Sequence, residues 1–133
     1  PVAVDQRDMV VAALDHDDGA VGVIGTNDLH NPRVLKGTHA THSLVRRTYI
    51  ETVGGAYASP GMVLWPGYHH HWCDDELVDL ATRRGMFAHA ADSVVEHLHP
   101  YAGKADEDAT YLLGRQNMSK DRSLYMRRRR MWK

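Results

Sequence analysis

Three consecutive acids, Asp74, Asp75 and Glu76, open a predicted helix directly behind a run of histidine, tryptophan and cysteine. A carboxylate can take a proton from a hydroxyl group when it faces a cleft, and a helix start behind a glycine-rich and aromatic loop gives it that placement. Acids in a first helical turn also simply complement the helix dipole, which contributes about 0.3 to 1 kcal/mol each. These residue types therefore predict either a general base or a helix cap.

Two histidines, His97 and His99, alternate near the end of a predicted strand. Alternation puts both imidazoles on one face of that strand, where they could hold a divalent metal ion. The competing interpretation is a pair of structural histidines, because the chain contains ten histidines in all. Residues 69–71 are also histidines, but three adjacent side chains of an extended loop cannot all converge on one ion.

The charge of the chain is segregated. Residues 115–133 hold eight basic residues and one acidic residue, a net charge of +7, whereas residues 1–114 carry a net charge of -8. A basic segment of this kind can contact nucleic acid, membrane phosphates or the protein's own acidic body. For the arginine run at 127–130, a solvated helix face is the default expectation.

Composition limits the class of protein. The chain has 133 residues, 43% of them hydrophobic, so it can bury a core without a disulfide or a metal ion. Its single cysteine, Cys73, excludes an intramolecular disulfide and a four-cysteine zinc site. No apolar stretch is long enough to span a bilayer. We expect a protein of the cytoplasm, without a membrane span.

Helical and strand patterns alternate along the chain, which is typical of an α/β fold. Residues 56–68 are rich in glycine, proline and aromatic residues and predict an irregular loop. We expect Ser119 to cap the last helix and Gly85 to follow the acidic one. Helices are predicted at 5–16, 47–53 and 74–84, and strands at 21–24, 40–45, 86–88 and 93–98. After a turn at 104–108 the rest of the chain is predicted to be helical, with Ser119 available to cap 120–132.

Three ordered segments carry a family resemblance. Residues 43–55 read SLVRRTYIETVGG, residues 74–77 read DDEL ahead of RRG at 83–85, and residues 92–100 read DSVVEHLHP. This ordered set resembles the C-terminal half of a family-2 glycosyltransferase with the GT-A fold, in the versions carried by bacteriophages of actinobacteria. The resemblance implies an α/β, partial GT-A (Rossmann-like) fold over residues 1–114, followed by a basic helical tail at 115–133.

The resemblance also implies roles for particular residues. Such enzymes transfer a sugar from a nucleotide-diphosphate sugar to an acceptor hydroxyl with inversion, and Asp74 falls at the position of their general base, with Asp75 as the adjacent alternative. His97, or else His99, falls where some relatives supply a ligand to Mn²⁺ or Mg²⁺. The residues expected to bind the acceptor are Trp65, Tyr68, Trp72 and Glu76.

A complete enzyme of this family has an N-terminal nucleotide-binding half that ends in an Asp-x-Asp metal motif. The letters occur at residues 15–17, but at the end of a predicted helix rather than after a strand. The resemblance therefore implies a fragment or a half that needs the N-terminal half as its partner, is inactive alone and holds metal weakly. An apolar face left by the missing half predicts a homo-oligomer.

Two other functions remain open from the sequence. One is a non-enzymatic phage structural or nucleic-acid-binding protein that uses the basic tail. The other is a metal-dependent hydrolase that uses the histidine pair and the acidic triplet. Under the leading hypothesis nucleic acid is not an expected partner.

Overall fold

The computed structural model describes residues 20–132, so the predicted helix at 5–16 lies outside the described residues. A short 3-10 turn, Pro100–Ala102, precedes the last helix. In chain order the elements are strand β1 (Val23–Asn27), helix α1 (Pro32–Leu35), strand β2 (Ser43–Val45), helix α2 (Arg47–Thr52), helix α3 (Cys73–Arg83), strand β3 (Phe87–Val94) and helix α4 (Ala109–Arg129).

The three strands form one mixed sheet in the order β2-β1-β3. Strand β1 is antiparallel to β2, with Val23 opposite Val45, and parallel to β3, with Val23 opposite Phe87. The carboxyl ends of β1 and β3 and the amino end of β2 therefore lie at one edge of the sheet. The predicted α/β class is confirmed, while the GT-A assignment stays a prediction.

The core lies on both faces of β1. Val23 packs with Tyr49, Ile50 and Leu77, which brings α2 and α3 against one face. Ile24 points to the opposite face, because successive strand residues alternate, and packs there in a second cluster.

Glycine at position 22 is required by this packing. A Cβ atom on Gly22 would lie 2.3 Å from the ring of the buried Tyr49. The ring can therefore cover the start of β1 only because no side chain stands there.

Local signals gave the bounds of two helices well. Helix α3 covers the predicted acidic helix and is followed by Gly85 at φ 67°, which a residue with a side chain adopts only with strain. Helix α2 ends before Gly54, which has φ 79°. The irregular loop at 56–68 contains no helix or strand, as predicted.

The two predicted strands at 86–88 and 93–98 are wrong as bounded, because one strand, β3, runs from Phe87 to Val94. The N–H of Val95 donates to the carbonyl of Asn27, the last residue of β1. Beyond this bond, β1 offers no further residues with which β3 could pair. His97 and His99 therefore lie in the loop after β3 rather than on one face of a strand.

The prediction that Ser119 caps the last helix is also wrong. Helix α4 begins at Ala109, and Asp108 caps it by accepting the N–H groups of Thr110 and Tyr111. The division between 1–114 and 115–133 stays a prediction, and residues on both sides of it belong to this one helix. Within residues 20–132, no helix is both long and apolar enough to cross a membrane.

Candidate functional site

Most of the candidate chemistry lies at the carboxyl edge of β1 and β3. Asp28 directly follows β1, His97 lies three residues beyond β3, and His42 immediately precedes β2. Helix α3 immediately precedes β3, and β3 is parallel to β1. The C-terminus of α3 therefore lies near the amino ends of these strands, and its N-terminus, with Asp74, lies toward their carboxyl ends. In open α/β sheets, ligands bind outside the carboxyl ends of the strands.

A carboxylate and two imidazoles converge at this edge. Asp28, His30 and His97 each offer a ligand atom, and these atoms lie within 4.8 Å of one another. The Nδ1 atom of His30 lies 2.9 Å from the carbonyl oxygen of Asp28, so Nδ1 donates its proton there and Nε2 keeps a free lone pair. The group has the donor types and the spacing of a divalent-metal site.

The fold holds the Asp28 carboxylate in place. Its Oδ2 atom accepts the hydroxyl of Thr41 at 2.7 Å, and its Oδ1 atom accepts the N–H groups of His30 and Asn31. Burial alone raises the pKa of Asp28, but the Thr41 and backbone hydrogen bonds bring that pKa below its ordinary value. The buried carboxylate is therefore ionised, and one of its oxygens belongs to the converging group.

The predicted pair of histidines is split by the structure. His97 belongs to the converging group, and burial together with the neighbouring His42 and His30 lowers its pKa. His99 does not belong to that group; its Nδ1 accepts the N–H of Tyr101, and its ring stacks on the Tyr101 ring at 5.1 Å. The rings of His97 and His99 are nevertheless in contact, with centroids 5.0 Å apart.

The two leading acids of α3 have different surroundings. Asp74 has a side chain that is 43% exposed, and its Oδ2 atom lies 3.4 Å from Nε2 of the buried His39. Asp75 is only 12% exposed and is paired with Arg33, whose Nη1 atom lies 2.6 Å from Oδ1. Of the two, Asp74 is the acid with an accessible carboxylate.

The charge state of Asp74 follows from its contacts. Burial of the group raises its pKa, while the hydrogen bond and charge of His39 and the backbone N–H of Asp75 lower it, with a net lowering. The carboxylate is therefore ionised at neutral pH. His39, Asp74 and Asp75 also form a second group of possible ligand atoms within 4.8 Å of one another.

Glu76, predicted to bind the acceptor, is instead committed inside the fold. It is 1% exposed, and its two oxygens accept the Nε and Nη2 hydrogens of Arg128 at 2.7 and 2.8 Å. They also accept the hydroxyl of Tyr68 and the N–H of Tyr57. These four hydrogen bonds come from three residues and occupy the carboxylate, while the acceptor-binding role of Glu76 stays a prediction.

The aromatic residues predicted to line an acceptor cleft pack toward α4. The Arg128 guanidinium lies 4.0 Å above the Trp65 ring, and the Tyr68 hydroxyl is bound to Glu76. The Trp72 ring lies 5.2 Å from the Tyr125 ring, and its backbone has φ 70° at the start of α3. Trp72 also lines a cavity. That these three residues bind an acceptor stays a prediction.

One acid of the basic segment organises the histidine loop. Asp121 accepts the backbone N–H groups of His69, His70 and His71 at 2.9 to 3.0 Å. Burial raises the pKa of Asp121, but these hydrogen bonds prevail and lower it to about 2. Because the loop leads directly into Trp72 and α3, Asp121 helps to set the position of Asp74.

The sequence analysis did not identify several residues that form or support this site. Asp28 and His30 had one available signal, since they directly follow a buried strand pattern that ends at a glycine and a polar loop. Asp121 is the single acid of a segment with a charge of +7. His39 and His42 had no local signal, because only the sheet and α3 bring them to the edge.

No protein-family model, curated protein or solved structure matches this chain. The fold and the site together define a mixed α/β protein whose carboxyl edge carries acidic and histidine groups able to hold a metal ion.

Proposed function

We propose that the chain is the acceptor and catalytic-base half of a GT-A glycosyltransferase, which transfers a sugar from a nucleotide-diphosphate sugar to an acceptor hydroxyl with inversion. The observation that carries this proposal is the accessible Asp74 carboxylate at the same sheet edge as the Asp28, His30 and His97 group. The resemblance of the three ordered segments supports the same function.

Asp74 would act as the general base. The proton of the acceptor hydroxyl moves to Asp74, the acceptor oxygen bonds to the anomeric carbon, and the bond from that carbon to the diphosphate oxygen breaks. The nucleoside diphosphate leaves with the bonding electrons. Asp75 is unsuited to this role because Arg33 holds its carboxylate.

The residues present fit a divalent cation. His97 with Asp28 and His30 would hold it, and His99 would stay outside the ligand set. When bound, such an ion neutralises charge on a departing diphosphate. Two imidazoles among three donors favour Mn²⁺ over Mg²⁺, since Mg²⁺ selects oxygen ligands.

The proposed partner of this half is an N-terminal nucleotide-binding half with an Asp-x-Asp motif. The donor nucleotide binds there, so transfer requires both halves together. The chain by itself supplies the base, part of the metal site and the acceptor side.

The test is release of nucleoside diphosphate from a panel of nucleotide-diphosphate sugars by an enzyme that contains both halves, with Mn²⁺ present. We expect release with at least one donor, and a loss of roughly 10²-fold in the Asp74→Asn variant. Thermal unfolding checks that the variant is folded. Absence of release with every donor, or equal release by wild type and variant, contradicts the proposal.

The second candidate is a non-enzymatic nucleic-acid-binding protein. Its support is the exposure of Arg127, Arg129 and Arg130, although Arg128 is buried against Glu76. Strongly salt-dependent binding of DNA, with no response to nucleoside diphosphates, would favour this function.

A further inference from the structure

A cavity of about 510 Å³ lies among α1, α3 and α4. Its volume is in the range of small-molecule sites, roughly 300 to 1,000 Å³. Three arginines line it: Arg33 from α1, and Arg122 and Arg129 from α4. The two α4 arginines are seven residues apart and therefore lie on the same helix face.

Two acids also line the cavity, and both have partners. Asp75 accepts a hydrogen from Arg33 at 2.6 Å, and Asp79 accepts the hydroxyl of Tyr125. Arg122 and Arg129, in contrast, have no carboxylate within ion-pair distance among residues 20–132. Three guanidinium groups against two carboxylates give the lining a formal net charge of +1.

Aromatic rings form another part of the wall. Trp72 and Tyr125 both line the cavity, with ring centroids 5.2 Å apart and planes inclined by 33°. The guanidinium of Arg129 lies 5.8 Å from the centre of the Tyr125 ring. A ligand with an anionic group beside a ring would therefore meet arginines and aromatic faces together.

We propose that this cavity binds a small phosphate monoester that carries a ring. Arg122 and Arg129 bind the phosphate oxygens, because a planar guanidinium matches the geometry of phosphate with paired donors. Arg33 assists, since its side chain is 49% exposed and it has donors beyond the one given to Asp75. The rings of Trp72 and Tyr125 contact the ring of the ligand.

This inference goes beyond the proposed transfer reaction, because it uses neither Asp74 nor the Asp28, His30 and His97 group. It also differs from attraction of nucleic acid to the tail. Arg127 on the same helix and Arg130 just after its end are exposed but do not line the cavity, so a duplex would reach them as readily as Arg122.

The test is calorimetric titration of the chain with phenyl phosphate and with inorganic phosphate, in a phosphate-free buffer at physiological salt. We expect one phenyl phosphate per chain, bound more tightly than inorganic phosphate. The double variant Arg122→Gln with Arg129→Gln should bind phenyl phosphate at least about tenfold more weakly. The matched control, Arg127→Gln with Arg130→Gln, removes the same charge and should bind as the wild type does.

A single variant guards against loss of folding. Arg122 is exposed and outside the buried clusters, so Arg122→Gln should unfold at the wild-type temperature and still bind more weakly by roughly threefold or more. Equal weakening in the control variant, binding of several ligands per chain, or no saturable binding would each overturn the proposal.

Discussion

Neighbouring carboxylates differ in what they can do because their partners differ. Asp74 is half-exposed beside His39, whereas Asp75 is paired with Arg33. In the two-half enzyme we expect Asp74→Asn to lower turnover by roughly 10²-fold with little change in stability. Asp75→Asn should do less to turnover and should lower the free energy of unfolding by about 1 to 2 kcal/mol, because the amide oxygen still accepts a hydrogen bond from Arg33 but no longer carries the charge of the ion pair.

Turnover and urea unfolding of both variants check this pair of expectations. A larger loss of turnover in Asp75→Asn would assign the base to Asp75. No loss in either variant would leave the acids as a helix cap.

Metal binding by the isolated chain is a second prediction for single residues. From the sequence, His97 was expected to be a lone ligand, which would bind a metal ion weakly. In the structure Asp28 and His30 lie beside it, so the isolated chain offers three possible ligands. We now expect the isolated chain to bind Mn²⁺ measurably in calorimetry. His30→Ala and His97→Ala should each weaken binding by roughly tenfold or more, while His99→Ala should not, because His99 is outside the group. Equal effects of all three variants would contradict the assignment.

Asp121 should make the protein sensitive to acid. Its pKa is about 2 in the folded chain against an ordinary value of 3.8, which corresponds to about 2 kcal/mol of stability. Because the folded pKa is the lower one, this contribution is complete above pH 3.8 and is lost as the pH falls toward 2.

The Asp121→Asn variant should therefore be less stable than the wild type at pH 7, and the difference should shrink as the pH falls from 4 to 2. Chemical unfolding measured across that range checks it. A constant difference at every pH would contradict the assigned cause.

A buried ion pair joins α4 to α3, beside an apolar cluster of Leu80, Tyr125 and Trp132. Arg128 donates to both oxygens of Glu76, and both side chains are buried. Arg128→Met should lower the free energy of unfolding by about 3 kcal/mol or more, since it leaves Glu76 buried without its cation.

Arg127→Met is the matched control, because Arg127 is exposed in the same arginine run. We expect its stability in urea unfolding to stay within about 0.5 kcal/mol of the wild type. Equal losses in the two variants would contradict the special role of Arg128.

At the scale of the whole molecule, large apolar side chains stay exposed beside the start of α4. Leu98, Tyr101, Leu112 and Leu113 are each at least half exposed. Exposed apolar surface promotes association, so we expect a dimer or a higher assembly in sedimentation at high concentration. Leu112→Glu with Leu113→Glu should weaken association by roughly tenfold or more.

Met62→Glu with Leu64→Glu is the control, because these residues are exposed in the loop between α2 and α3. It should associate as the wild type does. A monomeric wild type at every concentration would contradict the prediction.

The sequence by itself determined the features that depend on neighbours in the chain. Helix α3 was predictable because its acids, its apolar spacing and Gly85 are all local signals. The α/β class followed in the same way from alternating patterns. A helical segment after the turn at 104–108 was predicted as well, but its cap was placed at Ser119 rather than Asp108, since Gly114 and a weak apolar pattern hide the first turns.

The tertiary structure alone decided which residues share a site. His97 meets Asp28 and His30 only because β3 pairs with β1 in a register that ends at Asn27, and no local pattern fixes that register. Arg128 was predicted to lie on a solvated helix face, but it is buried and forms an ion pair with Glu76, which lies 52 residues earlier. Such contacts join distant segments, so they depend on how the strands and helices pack rather than on any neighbouring residue.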